Sequence, residues 1–196
     1  MPKKIVTPLS AETLAGLHAG AAVEISGMVY AARDAAHQRM LELLDAGQAL
    51  PFEIAGSIIY YMGPSPAQPG QVIGAAGPTT SGRMDGYTPR LLELGLAGMI
   101  GKGKRSREVV EAMKKYGAVY FGAIGGAGAL LASHIVSARV IAFADLGAEA
   151  VRELVLADFP AVVLIDGQGN DLYAEEEKKY RVEQDPLWLH WKENSG

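Results

Sequence analysis

There is no cysteine anywhere in the 196 residues. That excludes disulfides, thiol nucleophiles, zinc–thiolate sites and iron–sulfur ligation by the chain's own side chains. Lopsided charge is missing too. The net charge is −4, with 6 basic against 8 acidic residues in 1–100 and 12 against 14 in 101–196. No lobe of one sign therefore points to nucleic acid or a membrane surface. An apolar share of 49% with 20% charged residues excludes disorder by composition. Long uncharged stretches exist, but none reads as one apolar helix. Ile54–Gly82 holds Pro64, Pro66, Pro69 and Pro78, and Tyr116–Ala138 is broken by Gly122, Gly125, Gly126 and Gly128. Met1–Leu9 carries two lysines and no apolar run of signal-peptide length. A soluble, cytoplasmic chain is expected. It should form a single domain over 1–196, with a charged tail from Glu175 loosely held by Trp188 and Trp191.

Glycine is abundant, at 24 residues, which asks for tight turns or close backbone approaches. Between the glycines, strand and helix patterns alternate. Ser10 should cap a short helix, and Val23–Ala32 reads as a strand leading to a helix from Asp34, which would serve as its cap. Ser57–Tyr61 and Val72–Ala76 read as buried strands, and Pro89 suits the start of a helix stopped by Gly95. Ala97–Ile100 is a short strand. Ser106 and Gly117 bracket the best-defined helix, with Val109, Val110 and Met113 on its apolar face. Ala118–Phe121, Ile135–Phe143 and Ala161–Ile165 read as strands, Ala127–Ser133 as a helix, and Val151–Leu156 as either. The alternation predicts an α/β fold with a mixed sheet.

The sharpest feature is the loop Gly77-Pro78-Thr79-Thr80-Ser81-Gly82-Arg83-Met84-Asp85 after an apolar run. Three consecutive hydroxyls beside a rigid proline make a polar cradle, and Arg83 adds a planar cation that can grip a carboxylate or phosphate. A capped turn would use the same residues. Lys102-Gly103-Lys104-Arg105-Ser106-Arg107 places four cations before a helix start, which suits either an anion site or a solvated turn. Arg33 could bring a third cation to Arg83 and Lys102, and three cations with a threonine cradle suit a small dicarboxylate. The stretch Gly122–Gly128 tempts a dinucleotide reading but fails the G-x-G-x-x-G spacing, so close packing is the simpler role. His18 and His37 have no carboxylate or histidine at metal-ligand spacing, and His190 lies in the charged tail. His134 reads as a satisfied core histidine, and no metal site is expected.

These segments together resemble the β subunit, or the equivalent C-terminal domain, of class I iron–sulfur fumarate hydratases and L-tartrate dehydratases. The resemblance rests on Gly77–Asp85, supported by Gly101–Ser106, Arg33–His37, Ile59–Pro64 and Gly122–Gly126 in the same order. It implies a swivelling β/β/α domain. It also implies a hydro-lyase of the fumarate hydratase type, and a partner α subunit whose cysteines hold a [4Fe–4S] cluster in an α2β2 assembly. By motif position, Thr79 matches the catalytic base, and Arg33, Arg83 and Lys102 match the cations that hold the substrate carboxylates. Gly77, Pro78, Thr80, Ser81, Asp85 and Arg105 would support them. Lys104 departs from the asparagine frequent at its position. The resemblance implies fumarate to (S)-malate as the reaction, with tartrate to oxaloacetate the alternative, and a chain inactive without its partner. Two rivals remain: a stand-alone anion-binding module, and a flavin or nicotinamide oxidoreductase domain suggested by the glycine-rich loop.

Overall fold

The computed structural model describes residues 1–123 and 127–180. Trp188, Trp191 and His190, and Ile124-Gly125-Gly126 of the glycine-rich loop, lie outside the described residues. The chain opens with strand β1 (Lys3–Val6), the short helix α1 (Ala11–Ala15) and strand β2 (Ala22–Ala31). Helix α2 (Asp34–Asp45) then leads to β3 (Ile58–Tyr60). A long loop, a 3-10 turn at Ser81–Met84 and helix α3 (Thr88–Glu93) precede β4 (Gly98–Gly101). Helix α4 (Arg107–Tyr116) crosses to β5 (Val119–Gly122), followed by α5 (Gly128–Ser133) and β6 (Ile135–Ala142). A second 3-10 segment, Ala144–Glu149, turns into the long strand β7 (Val151–Ile165), and α6 (Leu172–Tyr180) ends the described chain.

All seven strands form one mixed sheet in the order β1-β2-β3-β4-β5-β7-β6, and a further β2–β7 pairing closes it. Strands β2, β3, β4 and β5 run parallel, while β7 is antiparallel to both β5 and β2. This is the expected α/β class with a mixed sheet. Closure explains why the strands read as continuous apolar runs, since both faces of the parallel segment are buried. Alternate residues divide between two cores. Val29, Ile58, Tyr60, Ile100, Val119, Phe121, Leu154 and Val163 fill one. Tyr30, Ile59, Tyr61, Met99, Tyr120 and Leu164 fill the other, together with Met40 of α2, Leu91 and Leu92 of α3, and Val109 and Met113 of α4.

Local signals hold where capping chemistry sets them. Ser10 accepts from Thr13 N–H, Ser106 accepts from Val109 N–H, and Gly117 ends α4 in the left-handed region. Three expectations are corrected. Val72–Ala76 forms no strand: the segment is irregular, Ile73 and Ala76 pack onto the first core, and Val72 is exposed. Asp34 is not the cap of α2. Arg33 occupies that position, and Asp34 is the first helical residue. His134 is only partly buried, although its Nδ1 lies 2.9 Å from the Ala157 carbonyl oxygen. Val151–Leu156 and Ala161–Ile165 belong to one continuous strand. Among the described residues, no helix is long and apolar enough to cross a membrane.

Candidate functional site

Right-handed crossovers in an α/β sheet leave the loops after parallel strands clustered at one edge, where ligands bind. Here Arg33 follows β2, Tyr61 follows β3 and Lys102 follows β4. The Gly77–Arg83 loop is stitched between the last two. Thr79 N–H donates to the Tyr61 carbonyl at 2.8 Å, Lys102 N–H to the Thr79 carbonyl at 3.3 Å, and Ser81 N–H to the Lys102 carbonyl at 2.9 Å. Thr80 and Lys102 thus pair as a parallel bridge, and Pro78 pairs with Met62 on the other side. The loop extends the sheet edge and gives Thr79 a defined address beside Lys102.

Burial sorts the three hydroxyl residues. Ser81 is wholly buried, Thr79 partly and Thr80 exposed. Ser81 Oγ lies 2.8 Å from the Tyr120 hydroxyl, which is also 3.0 Å from the Gly103 carbonyl and donates its proton to one or the other. Burial pushes the Tyr120 hydroxyl well above the usual tyrosine range. Ser81 therefore anchors the loop. It can do so because residue 101 is glycine: a Cβ there would fall 1.9 Å from Ser81 Oγ. Thr79 Oγ, by contrast, has no hydrogen-bond partner among the described residues.

The four cations of the basic turn separate, with Arg107 exposed as the first residue of α4. Lys102 is exposed and makes no ion pair among the described residues. Lys104 pairs with Glu177 of α6. Arg105 has a fully buried side chain: its Nε donates to Asp85 Oδ1 at 2.7 Å, and Nη2 to Thr88 Oγ1 at 2.8 Å. Its guanidinium also lies over the Tyr61 and Tyr120 rings, 5.4 and 5.1 Å from their centroids. The other Asp85 oxygen accepts from Ser106 N–H at 2.6 Å. Arg105 and Asp85 are thus a brace beneath the site, tying the start of α4 to the loop.

Arg33 and Arg83 come together through a residue that the sequence presented as a helix cap. Asp34 Oδ1 is 2.8 Å from Arg83 Nε, and Oδ2 is 3.5 Å from Arg33 Nη2. Glu149, far along the chain, lies 3.4 Å from the same Arg33 nitrogen and accepts from Ala35 N–H at 2.9 Å. Arg33 passes over Gly63, where a Cβ would fall 3.1 Å from its Cδ and Nη1. His37 fixes the backbone behind it: its N–H and its Nδ1 approach the Arg33 carbonyl at 2.9 and 2.8 Å. Complete burial holds this imidazole neutral, lowering its pKa to about 4.

Among the described residues, no group of three or more His, Cys, Asp or Glu side chains could hold a metal ion. A cleft of about 330 Å³, lined by Pro64, Val72, Ala138, Val140 and Arg152, contains neither the Gly77–Asp85 motif nor Arg33 or Lys102. The motif instead forms a polar shelf. The closed mixed sheet and this shelf define an α/β chain that presents cations and hydroxyls at the carboxyl edge of parallel strands.

The chain belongs to the Fumarase C-terminus family, whose model matches residues 4–176. It is 41% identical over 157 residues to fumarate hydratase 2 of Leishmania major, covering 79% of this chain and 28% of that protein. It is 40% identical over 153 residues to the aerobic class I fumarate hydratase of Escherichia coli K12, covering 77% of this chain and again 28% of the relative. The chain thus spans little more than a quarter of those enzymes. A Methanocaldococcus jannaschii protein, provisionally named as an L(+)-tartrate dehydratase subunit beta, is 38% identical over 169 residues. That match covers 83% of this chain and 87% of the relative.

Proposed function

We propose that this chain is the substrate-gripping β subunit of a two-subunit hydro-lyase that interconverts fumarate and (S)-malate. Arg33, Arg83 and Lys102 would hold the substrate carboxylates, and the Thr79 hydroxyl would exchange the C3 proton. The observation that carries the reading is the convergence of residues from three separate segments on one sheet edge, with Thr79 bonded through its backbone to Lys102 and Arg33 joined to Arg83 through Asp34.

Taking a proton from the carbon beside a carboxylate pushes negative charge onto that carboxylate. Cations already fixed in place strengthen their contacts as that charge grows, which lowers the barrier rather than only tightening binding. The neutral, buried His37 adds no charge of its own; it holds the Arg33 backbone. Without cysteine, the chain has no thiolate to offer a cluster, so the proposal leaves a [4Fe–4S] centre, as Lewis acid, to a cysteine-bearing α subunit in an α2β2 assembly. The near full-length match to a protein named as a dehydratase β subunit supports a separate partner, and favours L(+)-tartrate to oxaloacetate as the second reading.

Tagged chain expressed in its own host should capture a cysteine-bearing partner. The complex, reconstituted anaerobically with iron and sulfide, should turn over malate or L-tartrate, while the chain alone should not. Turnover by the chain alone, or a complex active on neither diacid, would refute the reading.

A further inference from the structure

Asp34 sits in the first turn of α2, where free backbone N–H groups and the helix dipole favour a carboxylate. Yet its side chain does not serve the helix end. The Ala35 N–H is taken by Glu149, 114 residues away. Asp34 turns instead to the arginines, with Oδ1 2.8 Å from Arg83 Nε and Oδ2 3.5 Å from Arg33 Nη2. Its Oδ2 is shielded from solvent without a hydrogen-bond partner, and so is Arg33 Nε. A carboxylate that gives up the N–H groups at hand to lie between two cations is organising the cations.

We infer that Asp34 is the positioning residue of this site: one shared carboxylate that fixes Arg33 and Arg83 relative to each other so that they meet the substrate as a pair. The inference rests on the hydro-lyase reading. Asp34 engages Arg83 through Nε, which leaves the two terminal nitrogens of Arg83 for a bidentate carboxylate contact. Arg33 is held from two sides by Asp34 and Glu149, and it passes so close over Gly63 that a side chain there would press on it. With two carboxylates against two guanidiniums, this pair carries no net charge until Lys102 is counted. Ground-state attraction for a dianion is thereby moderated, while the fixed geometry favours the charge that builds during proton removal.

This predicts an unusual division of kinetic effects. In the assembled enzyme, Asp34→Asn removes a negative charge without changing shape, so KM should stay level or fall. The loosened arginines should lower kcat by about tenfold or more, because preorganisation is lost. Asp34→Glu restores the charge and should recover part of kcat. A residue of purely structural importance would lower the yield of folded enzyme and leave kcat and KM per folded molecule unchanged; that result overturns the inference, as does a raised KM with unchanged kcat.

A readout independent of turnover is the Nε–H signals of Arg33 and Arg83 in the full chain, followed by NMR during titration with succinate. In the wild type both should shift at the same succinate concentration. In Asp34→Asn the Arg83 signal should be lost to solvent exchange or respond separately. Signals and response identical to wild type refute the role of Asp34. If the wild-type complex turns over no diacid, the hydro-lyase reading fails by itself, and the succinate titration still decides whether Asp34 couples the arginines.

Discussion

Gly101→Ala should detach the Thr79 loop from the sheet by a collision whose size can be worked out. The added Cβ would lie 1.9 Å from Ser81 Oγ, 3.2 Å from Tyr61 Cδ2 and 3.3 Å from Ser81 Cβ. Ser81 has little room to yield, being wholly buried and bonded through its N–H to the Lys102 carbonyl. Overpacking of this kind costs about 1–3 kcal/mol, and the strained Ser81 contacts add about 1 kcal/mol. A loss near 3 kcal/mol corresponds to roughly 6–12 °C in Tm for a chain of this size. Ser81→Ala alone should cost about 1 kcal/mol, since the Tyr120 hydroxyl keeps the Gly103 carbonyl at 3.0 Å. Combining the two removes the colliding oxygen and leaves the tight but tolerable contacts with Tyr61 Cδ2 at 3.2 Å and the residue-81 Cβ at 3.3 Å. The double variant should therefore be more stable than Gly101→Ala by about 1 kcal/mol or more, a coupling expected only of touching residues. Urea unfolding of the four proteins measures it. Additive losses would refute the anchoring role given to Ser81.

Three further outcomes follow from the same geometry. Asp85→Ala should cost about 3–5 kcal/mol by stranding the buried Arg105 guanidinium, and adding Arg105→Met should restore much of it; thermal unfolding that leaves Asp85→Ala at the wild-type Tm would remove the brace from the account. His37 has a folded pKa of about 4 against 6.5 in the open chain. The unfolded state therefore binds the extra proton first, so stability is unaffected above pH 6.5 and declines as pH falls toward 4, by about 3 kcal/mol in all. His37→Asn should flatten that slope in urea titrations, and an unchanged slope would assign it to other groups. Thr79→Val should shift stability by no more than about 0.5 kcal/mol, because the hydroxyl has no partner to lose. It should lower kcat of the assembled enzyme by about a hundredfold or more if the hydroxyl moves the proton; activity within tenfold of wild type would pass that role to another group.

Much of this architecture was legible from local chemistry. Ser106 and Gly117 mark the two ends of α4 by capping, and the apolar runs around Ile59, Ile100 and Tyr120 mark the parallel strands. The Val72–Ala76 run misled because an apolar segment can cover a core as readily as cross it. Nothing along the chain showed that the sheet closes, since the β2–β7 pairing joins segments more than a hundred residues apart. The site divides the same way. The hydroxyls and cations were visible as one motif and its neighbours. Glu149 carried no signal, because its contacts with Arg33 and Ala35 exist only once the chain has folded. Asp34 did carry one, in its adjacency to Arg33, but a carboxylate at a helix start is ordinarily explained by the helix itself. Arg105 and Asp85 looked like members of an anion site, and the structure spends their charges on each other.

The most direct test of the central claim is kcat/KM of Arg83→Ala in the anaerobically assembled complex, measured on malate and on L-tartrate beside the wild type. The account predicts a loss well beyond about tenfold on the diacid that the wild type prefers, since a guanidinium that gains contact as charge builds is removed. Turnover within a few-fold of wild type would contradict it.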